Sequence, residues 1–131
     1  MKSCLFGGTF DPPHLGHLII AQTIFEAENF DRIVFIPAFL PPHKNGQDIS
    51  SVDHRMEMLK IAIRENPNFV LSDIEIKRKG LSYSIDTIID YKAQNNIKTD
   101  DLYYLIGSDT LKQFHKWKDP KSILEEARVI V

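Results

Sequence analysis

The feature that most constrains this chain is a regular exchange between two hydrophobic periods. Short β-branched or aromatic runs alternate with segments whose apolar residues recur every three to four positions. Ser3 to Phe6 is an apolar run ending at Gly7-Gly8, which reads as a buried strand and a tight turn. Leu18, Ala21, Ile24 and Phe25 recur at helical spacing and predict a helix from about Gly16 to Glu28. Arg32 to Ile36 predicts a second strand, stopped by Pro37. A loop with Pro41, Pro42 and Gly46 follows. Ser50 and Asp53 then resemble a capping box for a helix running to about Glu65, with Met56, Leu59 and Ile63 on one face.

Phe69 to Leu71 predicts a third strand. Asp73 to Lys77 alternates with period two, as an exposed strand or edge extension would. Ser84 is placed to cap a helix with Ile85, Ile88 and Ile89 facing inward. Leu102 to Ile106 predicts a fourth strand, Asp109 a capped helix after it, Ser122 to Ala127 a last short helix, and Arg128 to Val131 a fifth strand. Strand and helix in this order predict an α/β fold: a Rossmann-like, doubly wound parallel sheet of about five strands with helices on both faces. One domain is expected over residues 1–131. Because the sequence stops inside an apparent strand, it is expected to lack the C-terminal part of that domain.

Composition narrows the function classes. The net charge of -2 argues against a general nucleic-acid binder, which needs a basic face, but leaves room for a small phosphorylated ligand. No apolar run reaches the roughly 18 residues of a membrane span, and the N-terminus does not read as a signal peptide. A cytoplasmic protein is the expectation. Cys4, the single cysteine, reads as a buried and inert thiol.

The chemistry-bearing string is Gly7-Gly8-Thr9-Phe10-Asp11-Pro12-Pro13-His14-Leu15-Gly16-His17, between the first strand and the first helix. The crevice at the carboxyl ends of parallel strands is where such sheets bind ligands. Gly7 and Gly8 permit close backbone approach, and amides at a helix start favour phosphate. His14 and His17 lie three apart and so share a face. Two imidazoles there can donate to one phosphate, but spacing alone does not separate this from a pair of surface histidines. A metal reading lacks a third and fourth ligand. The string is neither a dinucleotide fingerprint nor a P-loop.

The whole string resembles the signature of the nucleotidylyltransferase superfamily, and its form is most similar to the bacterial nicotinate-nucleotide adenylyltransferase family. Three later blocks resemble that family in the same order: Phe35-Ile36-Pro37 with Pro41-Pro42-His43-Lys44; Asp73-x-Glu75 through Arg78-x-Gly80 with Ser82-Tyr83-Ser84-Ile85-Asp86-Thr87; and Leu105-Ile106-Gly107-Ser108-Asp109 with Leu111, Phe114 and Trp117. Ser84 stands where family members often carry Thr.

The resemblance implies transfer of the adenylyl group of ATP to nicotinate mononucleotide, giving nicotinate adenine dinucleotide and pyrophosphate. It implies His14, His17 and Lys44 as the catalytic groups that neutralise phosphate charge. Gly7, Gly8, Thr9, Phe10, Gly16, Gly107 and Asp109 would join the two histidines around ATP. His43, Lys44, Ser84, Thr87 and Trp117 would hold the acceptor nucleotide, Trp117 by stacking on its pyridine ring. Mg²⁺ would bridge ATP oxygens and take few protein ligands. The family also carries a late Ile-Ser-Ser-Thr-x-x-Arg-like segment, beyond Val131 here, that helps hold ATP. From the residues alone, Lys44 reads as a solvated loop lysine, Thr87 equally as a helix-surface threonine, Asp109 also as a helix cap and Trp117 as a core or rim aromatic. Rival readings are another small-acceptor transferase such as phosphopantetheine adenylyltransferase, a nucleotide-binding module without catalysis, and a flavodoxin-like scaffold. A homo-oligomer is compatible with all of them.

Overall fold

The computed structural model describes residues 1–40 and 49–131, with the side chain of Asp109 excepted. Five strands are present: β1 (Ser3–Gly8), β2 (Arg32–Pro37), β3 (Phe69–Leu71), β4 (Leu102–Leu105) and β5 (Arg128–Ile130). All neighbours pair in parallel, in the order β3-β2-β1-β4-β5. The helices are α1 (Leu15–Ala27), α2 (Val52–Ile63), α3 (Ile74–Arg78), α4 (Ser84–Asn95), α5 (Ser108–Leu111) and α6 (Pro120–Glu126), with single 3₁₀ turns at Thr99–Asp101 and Phe114–Lys116.

The sheet is buried on both faces, which is why its central strands read as continuous apolar runs. Successive side chains of β2 divide between the faces. Ile33 and Phe35 join Cys4, Ala21, Leu59 and Phe69 in one cluster. Val34 and Ile36 join Leu5, Ile88, Leu102 and Ile123 in the other. Thus α1 and α2 cover one face, and α4 and α6 the other. The chain moves outward from β1 to β2 to β3, then returns to the other side of β1 as β4. This reversal opens a crevice between the carboxyl ends of β1 and β4.

Several local expectations are corrected. Asp73 to Lys77 is not a strand; residues 74–78 form α3. Two isoleucines flanking a glutamate over five residues fit one helical turn as well as an alternating strand. The pattern also assumed an exposed Glu75, whereas Glu75 is buried with hydrogen-bond partners. The cap of α2 is Ser51 and not Ser50: its Oγ accepts from the His54 amide at 3.2 Å. Ser84 is the first residue of α4, after Tyr83 at the N-cap, and Asp109 lies within α5, whose N-cap is Gly107. Ile89 is 46% exposed, because Ile85, Ile88 and Tyr91 already fill the inward stripe of α4.

Candidate active site

A cleft of about 480 Å³ occupies this crevice, within the usual range for small-molecule sites. Its walls come from the β1 exit (Gly7, Gly8, Thr9), the start of α1 (His14, His17), the start of α4 (Ser84), the β4 exit (Gly107) and the end of the second 3₁₀ turn (Trp117). Eight of the predicted site residues therefore meet in one place, drawn from five separate parts of the chain.

The first turn of α1 is built to orient its histidines. His14 is the N-cap residue, and its backbone N–H donates to Nδ1 of His17 at 3.0 Å. A neutral imidazole has one donor and one acceptor nitrogen, so the His17 proton resides on Nε2. The ring is fixed from the sides by Phe10 (centroids 5.0 Å apart, 72°) and Phe6 (5.9 Å, 66°), and the His14 ring stacks on it at 3.8 Å. Desolvation by these neighbours, and then the charge of His14, lower the His17 pKa. His17 is thus held as a neutral donor through Nε2–H. Gly16 makes this packing possible, because a Cβ there would come within 2.9 Å of the His14 ring.

The glycines after β1 serve a similar purpose. A Cβ on Gly7 would lie 3.0 Å from the Tyr104 hydroxyl, and one on Gly8 would lie 3.3 Å from the Phe10 ring. At these two positions the close approach is to the protein's own side chains. Phe10 has φ 52°, is 3% exposed and does not line the cleft. The turn inverts the backbone and drives the ring into the core, where it packs against His17 and supports the cleft without lining it. Gly16 likewise acts through His14 and is not part of the cleft wall.

Thr87 departs furthest from expectation. It is fully buried. Its hydroxyl donates to Glu75 at 2.7 Å and accepts from Arg78 Nη2 at 2.8 Å, while Arg78 also pairs with Asp90 at 2.9 Å. A hydroxyl so engaged is not available to an acceptor nucleotide. Helix α4 packs on α3 through this network, and the period of α4 that points Ile88 inward points Thr87 inward too. His43 and Lys44 fall in residues 41–48, outside the described residues, as does the Asp109 side chain.

Three residues had no role assigned from sequence. Arg55, only 1% exposed, donates to Ser50 O (3.0 Å), Thr9 O (3.1 Å) and Ala38 O (2.6 Å), tying together the segments after β1, after β2 and before α2. Glu75 lines the cleft floor; burial raises its pKa, while hydrogen bonds from Thr87 and Ser82 and the charge of Arg78 oppose the rise. Tyr104 also lines the floor, and its hydroxyl meets Ser84 Oγ at 2.8 Å. Sequence offered a faint signal only for Glu75, a carboxylate between two isoleucines.

The cytidylyltransferase-like family profile matches residues 5–131. The chain belongs to this family. Among curated relatives it is 43% identical to the "Probable nicotinate-nucleotide adenylyltransferase" of Clostridium tetani, covering 99% of this chain and 64% of that protein. It is 41% identical to the Aquifex aeolicus protein of the same name, over 97% of this chain and 74% of that one. To the Bacillus subtilis nicotinate-nucleotide adenylyltransferase it is 43% identical, over 88% of this chain and 60% of that protein. The chain therefore spans roughly two thirds of the length of these relatives. Solved structures share the fold. A putative nicotinate-nucleotide adenylyltransferase from Vibrio parahaemolyticus superposes with a TM-score of 0.78 at 22% identity, covering 98% of this chain and 72% of that one. The Plasmodium falciparum nicotinic acid mononucleotide adenylyltransferase complexed with NaAD gives 0.79 at 20%, covering 98% and 63%. In this cytidylyltransferase-like chain the string from Gly7 to His17 contributes Gly7, Gly8, Thr9, His14 and His17 to the cleft wall.

Proposed function

We propose that the chain supplies the nucleotide-binding and catalytic cleft of a nicotinate-nucleotide adenylyltransferase. In this reading the phosphate of nicotinate mononucleotide attacks the α-phosphorus of ATP, the bond to the leaving pyrophosphate breaks, and nicotinate adenine dinucleotide forms. The observation that carries the reading is the His14–His17 pair, locked at the switch point with a neutral Nε2–H donor on the cleft wall. No protein nucleophile is required; positioned donors stabilise the charge that builds on the phosphoryl oxygens. His17 and His14 serve the ATP phosphates. Ser84 and Trp117 face the acceptor, and Lys44 is assigned to phosphate charge on the strength of the sequence block that carries it.

Among the described residues the cleft offers imidazole, hydroxyl and backbone donors with a single carboxylate, Glu75, which is already engaged by Thr87 and Ser82. Such a set suits a Mg²⁺ that arrives on ATP and keeps phosphate and water oxygens as ligands. When bound, that ion neutralises charge on the ATP phosphates. The names of the relatives support the acceptor assignment, and the donors that line the cleft support ATP.

The test is pyrophosphate release from Mg-ATP with nicotinate mononucleotide, nicotinamide mononucleotide and phosphopantetheine in parallel. Release with the nicotinate nucleotide is expected. Release with phosphopantetheine alone would move the chain to another acceptor class.

A further inference from the structure

The geometry points to Tyr104 as a positioning residue that sets which way the Ser84 hydroxyl proton faces, and through it favours an acceptor carrying a carboxylate over one carrying a carboxamide. This rests on the acceptor reading above and adds to it a residue that acts through Ser84.

The argument is one of satisfying hydrogens. Tyr104 Oη and Ser84 Oγ lie 2.8 Å apart, and distance alone allows either to donate. Tyr104 is 5% exposed, its hydroxyl sits under the Gly7 backbone, and it has no second hydrogen-bond partner among the described residues. If Ser84 donated, the Tyr104 proton would be left buried with no acceptor, which is costly. If Tyr104 donates, its proton is satisfied, and the Ser84 proton is freed at a cleft-lining position on the first turn of α4. The second arrangement leaves nothing unpaired. Burial also raises the Tyr104 pKa, so the phenol keeps its proton at neutral pH.

A hydroxyl that already accepts from one side is polarised as a donor on the other. A carboxylate gains more from such a donor than a neutral amide does, since bonds to charged acceptors are about twice as strong. A carboxamide also presents an NH₂ edge, which a directed O–H cannot serve. The position suits this discrimination. Trp117 lines the same cleft and stands edge-on to Tyr104, with centroids 6.4 Å apart at 89°. A pyridine ring on Trp117 would therefore lie beside the Ser84 hydroxyl.

Trp117 is the single tryptophan, so its fluorescence reports binding without any need for turnover. Titration with nicotinate and nicotinamide mononucleotides gives two dissociation constants, whose ratio is the selectivity. Tyr104→Phe removes one oxygen and leaves the ring against Trp117. It is expected to cut the selectivity about fivefold, the worth of one net hydrogen bond, mainly by weakening the nicotinate nucleotide. Ser84→Ala should lower selectivity as well, and the double variant should match Ser84→Ala alone, because Tyr104 acts through Ser84. Equal weakening of both nucleotides in Tyr104→Phe, or additive losses in the double variant, would overturn the inference and leave the acceptor reading intact. Absence of quenching by either nucleotide in the unsubstituted chain would overturn both.

Discussion

Arg55→Met is the substitution whose effect follows most directly from the structure. The guanidinium is buried and donates to three backbone carbonyls, those of Ser50, Thr9 and Ala38. Methionine keeps most of the stem and its packing but supplies no donor. Each carbonyl left unpaired in a buried place costs about 1–3 kcal/mol. Relaxation and partial hydration keep three such losses from adding in full, so the expected loss is about 3–5 kcal/mol. That is a large part of the roughly 5–15 kcal/mol that holds a domain together. Equilibrium unfolding in urea measures it directly: the midpoint should fall sharply with little change in slope. Arg55→Lys separates charge from geometry. An ammonium on a flexible stem cannot span three carbonyls, so lysine should recover only a fraction of the loss. A loss below about 1 kcal/mol for the methionine variant, on the scale of a single hydrogen bond, would refute the claim that this residue ties the three segments. Full recovery by lysine would show that charge and not the fork matters.

Thr87→Val keeps the shape but removes the hydroxyl that joins Arg78 to Glu75. It should lower stability by about 1–3 kcal/mol and leave nucleotide binding, read by Trp117 fluorescence, nearly unchanged; the reverse pattern would restore Thr87 to the acceptor site. His17→Ala should slow pyrophosphate release by about 10²–10³-fold, as loss of a positioned donor does elsewhere, with an unaltered circular dichroism spectrum. His17 also makes a signed pH prediction. Its folded pKa is lowered, so the unfolded chain binds the proton more readily. The stability this group contributes is full above about pH 6.5 and drains as pH falls through the lowered folded value. Urea midpoints between pH 8 and 5.5 should therefore fall more steeply in the unsubstituted chain than in His17→Gln. Burial pushes the Cys4 thiol up to about 12, so a thiol reagent at pH 8 should label it only after denaturant is added.

The sheet was legible because its strands are buried on both faces. A run such as Arg-Ile-Val-Phe-Ile has few other places to go, and the intervening helical periods leave parallel crossovers as the natural connection. The cleft was legible where one contiguous string, Gly7 to His17, places Gly7, Gly8, Thr9, His14 and His17 on its wall. What sequence could not supply was direction. Phe10 and Thr87 sit in motif positions, yet both face the core, one through an inverted φ and the other through the period of α4. Nor could it reveal partners distant in the chain. Arg55 is 46 residues from Thr9, and nothing in the pattern around it distinguishes it from a solvated helix arginine. Glu75 was misplaced for the same reason: an alternating pattern treats a carboxylate as exposed unless its partners are known.

One physical choice runs through the site. A cleft proposed to handle phosphates, in a chain of net charge -2, is a place where lysines and arginines are the usual donors. Among the described residues that line it there are none; Glu75 is the one acidic side chain in sight. The donors are two imidazoles, several hydroxyls and backbone amides, each held by a neighbour: His17 by the His14 amide, Ser84 by Tyr104, the Thr9 segment by Arg55. Fixed neutral donors need little reorganisation when charge develops on a phosphoryl oxygen, and they hold a ground-state anion less tightly than a point charge would. The cationic side chain Arg55 is spent one layer back, on carbonyls, where it fixes the loop that carries the donors. In this chain positive charge builds the scaffold of the described site, and oriented dipoles face the cleft.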